Sequence, residues 1–82
     1  MEKKLIGKVT HFFPKISVAV VELSGDLKQG DKILFEGSTS FEQVVDSMQI
    51  EHKNVSEAKA GQSIGLKVNQ KVKEKDLVYK IE

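Results

Sequence analysis

At 82 residues the chain is long enough for one domain and too short for two, so residues 1–82 are expected to fold as a unit. With 39% hydrophobic and 30% charged residues it is a globular sequence with a modest core, neither disordered nor membrane-spanning. A net charge of +1 excludes an overall pull toward nucleic acid, and the lack of cysteine excludes disulfides and thiolate metal sites.

The start, Met1-Glu2-Lys3-Lys4-Leu5-Ile6, has no long apolar stretch behind its lysines and does not read as a signal peptide. The longest apolar run, Val18–Val21, is far short of a membrane span. The expected location is cytoplasmic, where the Asn54-Val55-Ser56 sequon would meet no glycosylation machinery. All thirteen basic residues are lysines, so phosphate contacts would be point charges rather than bidentate forks.

A first strand is expected over Leu5–Phe13, ending at Pro14. Ile16–Leu23 is a second strand with two apolar faces, Ile16, Val18 and Val20 on one and Ala19, Val21 and Leu23 on the other. Ser24-Gly25-Asp26 and Gln29-Gly30-Asp31 are turns, with Leu27 tucked into the core between them. Ile33–Phe35 is a short strand and Gly37–Ser40 a loop. Phe41–Met48 reads two ways. Phe41, Val44, Val45 and Met48 have helical spacing behind a Thr39/Glu42 capping-box pattern, whereas a strand would place Val44, Met48 and Ile50 on one face. Ala60-Gly61-Gln62 turns the chain into a strand over Ser63–Val68. The last strand is Leu77–Ile81, with Leu77, Tyr79 and Ile81 on one face. Short strands parted by Gly/Asp turns point to a small all-β fold, a closed antiparallel barrel of about six strands.

Gly61-Gln62-Ser63-Ile64-Gly65 matches the pattern of a nucleophile elbow. That device needs a strand-to-helix turn and a histidine later in the chain, but this segment enters a strand and both histidines, His11 and His52, come earlier. Turn and close-approach roles for Gly61 and Gly65 are the better reading. The two histidines lack companion ligands, so no metal is expected. Asp26 and Asp31 sit beside glycines, where aspartate caps its own backbone rather than serving as an acid–base pair. With no glycine-rich phosphate loop, the chain by itself is expected to hold no nucleotide cofactor. No catalytic set emerges, and the expectation is that the chain is not an enzyme.

The order of the pieces carries a resemblance. Ile6-Gly7-Lys8-Val9, Leu27-Lys28-Gln29-Gly30-Asp31-Lys32-Ile33, Val45-Asp46-Ser47-Met48 and Val55–Leu66 succeed one another as in the second-domain β-barrel of translational GTPases of the elongation factor Tu and initiation factor two type. The likeness covers about residues 5–81, without the GTP-binding or third domain. A similar barrel ends the chains of a collagenase-like peptidase family linked to transfer-RNA modification, which the lack of arginine-rich motifs fits no worse. The first resemblance implies a docking and RNA-contacting module. In it, Met48–Lys53 would match the pocket for a terminal adenosine, with Gln49 in place of a glutamate and His52 and Lys53 in place of two basic residues.

The functional expectation is a non-catalytic, translation-factor-like binding module. It would contact transfer or ribosomal RNA, or a translation-related protein, through Lys8, Lys15, Gln49, His52, Lys53 and Lys67. The alternative is a protein-interaction or oligomerisation domain with no nucleic-acid role, using Ile6, Ile16, Val18 and Val20.

Overall fold

The structure is a computed structural model describing residues 2–37, 40–51 and 53–81. In chain order its strands are β1 (Lys3–Phe13), β2 (Val18–Leu23), β3 (Leu27–Lys28), β4 (Lys32–Glu36), β5 (Phe41–Val44), β6 (Met48–Ile50), β7 (Lys53–Val55), β8 (Glu57–Ala58), β9 (Ser63–Lys67) and β10 (Leu77–Ile81). Eight of them make one antiparallel sheet in the order β5-β4-β10-β1-β2-β9-β6-β7, and β3 pairs separately with β8.

The all-β class expected from the sequence is what forms. The closed six-stranded barrel is not: the large sheet curls as a half-barrel whose ends, β5 and β7, are not hydrogen-bonded neighbours. Apolar runs undercount the strands because the extra ones are only two to four residues long. The gap beside β5 is bridged by a side chain instead of a ladder. Gln43 is buried, its Nε2 donates to the Lys67 carbonyl at 2.8 Å, and its Oε1 accepts from the Asn69 amide at 2.9 Å.

Strand alternation decides what is buried. Ala19, Val21 and Leu23 of β2 point inward, as do Ile64 and Leu66 of β9. Phe35 of β4 lies at the centre, its ring stacked on Phe41 with centroids 4.9 Å apart. On β10 the fully buried residue is Val78, while Leu77, Tyr79 and Ile81 are half-buried. Phe41–Met48 is not a helix. β5 buries Phe41 and Gln43, Val45–Ser47 breaks the strand, and β6 buries Met48. Val44, which the strand reading put on one face with Met48 and Ile50, is 55% exposed while Met48 is buried, and Val45 takes the inward place. Thr39 of the capping-box pattern lies outside the described residues.

Asp31 caps its own turn, its Oδ2 accepting the Lys28 amide at 2.9 Å. Asp26 does not follow the expected local pattern: its Oδ1 accepts the Ala60 amide at 3.3 Å and ties its turn to the distant Ala60-Gly61 turn. Gly30 and Gly61 adopt φ of 95° and 91°, which glycine reaches without steric cost. Gly7 serves close approach: a Cβ there would stand 2.7 Å from Val21 Cγ1. Lys3 clasps the start of β1 across β10 to β4. It donates to Glu36 Oε2 at 2.8 Å and lies 4.6 Å over the Tyr79 ring. The hydrogen bond to Glu36, chiefly, raises its pKa above the ordinary lysine value. No helix among the described residues is long and apolar enough to cross a membrane.

Candidate functional site: an outer groove across four strands

With alternate residues of β2 and β9 committed to the core, their partners must face out. Val18, Val20 and Glu22 line the outer side of β2, and Ser63, Gly65 and Lys67 that of β9. Register aligns them. Phe13, Val18 and Lys67 lie in one row, and His11, Val20, Gly65 and Gln49 in the next. Lys8, Glu22 and Ser63 form the third.

The middle of this face is a groove of about 270 Å³ lined by Phe13, Ile16, Val18, Val20 and Ile64, with Gln49, Glu51, Ser63 and Gly65. Gly65 makes the notch, since a Cβ there would have nothing nearer than Val18 Cγ1 at 3.5 Å and the Gln49 carbonyl at 3.9 Å. One lip is the β1–β2 connection, where Ile16 is 59% and Phe13 44% exposed. A bulge between Val9 and His11 turns His11 and Phe13 outward, and their rings meet edge to face at 4.4 Å. His11 Nδ1 also lies 3.6 Å from Glu74. On the other lip Gln49 Nε2 donates to Asn54 Oδ1 at 3.1 Å, and Glu51 turns the chain with φ of 50°.

The residues expected to contact RNA are only partly gathered here. Gln49 lines the groove and Lys67 closes one end beside Val18. Lys8 is exposed opposite Glu22, Lys15 sits in the turn after β1, and Lys53 starts the edge strand β7. His52 lies outside the described residues. Of the proposed apolar contacts, Ile16, Val18 and Val20 do meet on one face. Ile6 does not: it is 1% exposed and in the core. A bulge between Leu5 and Gly7 rotates it inward and leaves Leu5, 49% exposed, outside. Sequence reasoning missed Phe13, Glu51, Ser63 and Gly65. The signal for the last two is their alternation with the core residues Ile64 and Leu66.

Ser63 does not sit on a nucleophile elbow. It opens a strand, opposite Glu22. Among the described residues no group of three or more His, Asp or Glu side chains is placed to hold a metal ion.

Comparison with known proteins changes the family reading. No protein-family model matches the chain. It is 53% identical over 76 residues to an uncharacterized protease of Methanocaldococcus jannaschii, covering 90% of this chain and 19% of that protein. It is 33% identical over 84 residues to a collagenase of Porphyromonas gingivalis, covering 99% of this chain and 23% of the other. The chain thus spans about a fifth of the length of the curated relatives it matches. Its fold superposes with a TM-score of 0.89 on the C-terminal domain of a Geobacillus thermoleovorans protein assigned to the U32 peptidases, at 22% identity, covering 96% of this chain and 93% of that domain. These matches overturn the expected kinship with the second domain of translational GTPases, and with it the translation-related binding module. The motifs behind that expectation serve local turns here: Asp31 caps the Lys28 amide, and Gly30 and Gly61 take positive φ. The relatives are named as a protease and a collagenase, so the expectation that the chain is not an enzyme finds no support.

Proposed function

We propose that this chain is the kind of β-domain that accompanies a U32-type peptidase, and that it holds the polypeptide substrate while residues outside the chain cut it. The observation that carries this reading is the extent of the match: 53% identity over 90% of the chain with a protein named as a protease, yet over only 19% of that protein. The name of the Porphyromonas gingivalis relative points to collagen as the class of substrate. The elbow pattern is structural in this reading. Its glycines serve a turn and an open notch, and its serine stands at a strand start.

Two measurements test it. A form of the Porphyromonas gingivalis collagenase lacking the matching segment is expected to cleave a short chromogenic peptide at the parent rate while its KM for gelatin rises about tenfold, the pattern of lost binding rather than lost chemistry. An unchanged KM for gelatin, or cleavage of gelatin by this chain alone, would contradict the reading. Ser63→Ala, placed in this chain after it replaces that segment, is expected to leave kcat unchanged, because the serine opens a strand rather than an elbow and both histidines precede it in the chain. A drop of about a thousandfold in kcat with the fold intact would restore the serine as a nucleophile.

A further inference from the structure

Resting on that substrate-holding reading, we propose that the outer groove of β2, β9 and β6 binds one extended polypeptide strand rich in proline and glycine, as in unwound collagen. Such a strand has no internal hydrogen bonds, and its carbonyls face outward in search of donors. Aromatic-lined grooves are the surfaces that take it. Here the edge-to-face pair of His11 and Phe13 stands on the outer face beside Val18 and Val20. The Gly65 notch lets a backbone approach the sheet where a side chain would block it. The Ser63 hydroxyl and the second Nε2 hydrogen of Gln49, whose first goes to Asn54 Oδ1, are donors along it.

Charge and position also fit this occupant. The apolar middle is bounded by Lys67 at one end and by Glu51 and the Lys8–Glu22 row at the other, so charge is kept to the ends and the middle suits an uncharged residue. In a protein whose matching domain is C-terminal, the rest of the chain joins β1 at its Lys3 end. Phe13 lies at the opposite end of the eleven-residue β1 from that point, leaving the groove clear of the connection.

The test is fluorescence anisotropy of a fluorescein-labelled, heat-denatured gelatin fragment at 37 °C. Gly65→Val fills the notch with a side chain suited to a strand, and Ile16→Ser removes an exposed apolar contact. Each is expected to weaken binding about tenfold, with far-ultraviolet circular dichroism unchanged. Leu5→Ser, exposed outside this groove, is expected to bind like wild type. Equal gelatin binding by wild type, Gly65→Val and Ile16→Ser would overturn the groove assignment and leave the substrate-holding role standing. No gelatin binding by wild type would overturn the groove as well, and the deletion measurement above would then judge the role separately. A wild-type dimer by sedimentation that Ile16→Ser renders monomeric would assign the groove to a second copy, and displacement of gelatin by transfer RNA would assign it to RNA. Either result overturns the proposal.

Discussion

Phe35→Ala is expected to remove a large share of the folding stability of the chain and to lower its urea midpoint sharply. Phe35 is fully buried, pairs across strands with Val78 on one side and Phe41 on the other, and stacks on the Phe41 ring. Removing a buried phenylalanine side chain costs about 3–5 kcal/mol in lost transfer energy and residual cavity. Native stability of roughly 0.05–0.15 kcal/mol per residue gives a chain of 82 residues only about 4–12 kcal/mol in all. Phe35→Leu, which keeps most of the volume, is expected to cost about 1.5 kcal/mol and to remain folded. Urea titrations of the two variants check this, and an unchanged midpoint for Phe35→Ala would show that the core is not centred where the structure puts it.

Gln43→Leu has the next largest expected effect. The substitution keeps the bulk and removes both hydrogen bonds at the seam, leaving the Lys67 carbonyl and the Asn69 amide without the partner they have now. Each buried group left without its partner costs about 1–3 kcal/mol, so the two cost about 2–6 kcal/mol before the apolar burial of the leucine is set against them. In a domain of this size the melting temperature is expected to fall by roughly 10 °C or more. Hydrogen exchange at the Asn69 amide is expected to speed up beyond the global change. A melting temperature within a degree or two of wild type would mean that the half-barrel is held without this side chain.

Gln43 also shows why the closed barrel was the wrong expectation. A glutamine between Glu42 and Val44 reads as a surface residue, and nothing in the pattern says that it faces the core and stands in for a missing ladder. The helical spacing of Phe41, Val45 and Met48 has a similar origin. Two short strands joined by the irregular Val45–Ser47 link place inward residues three and four apart, which imitates a helix period. Where one uninterrupted strand or one turn decides the outcome, the residues were enough. Ser63–Lys67 and Leu77–Ile81 form where their alternation and flanking turns put them, and Gly30 and Gly61 take the left-handed conformation their turns require.

The groove was half legible. The two apolar faces of β2 point to an outer surface, but the bulges of β1 decide which neighbours join it. They bring Phe13 and His11 out and turn Ile6 in, and a bulge leaves little trace in composition. The family was less legible still. The Leu27–Gly30-Asp31 turn and the Ala60-Gly61 turn do backbone work here, a cap and a positive φ, so they speak for a fold without separating the families that use it.

A substrate-holding role for this chain is tested most directly by a chimaera in which it replaces the matching segment, aligned over 84 residues, of the Porphyromonas gingivalis collagenase. Such a chimaera is expected to show a KM for gelatin within about threefold of the parent enzyme, against the roughly tenfold rise expected when the segment is deleted. A chimaera that folds but binds gelatin no better than the deletion would contradict that role.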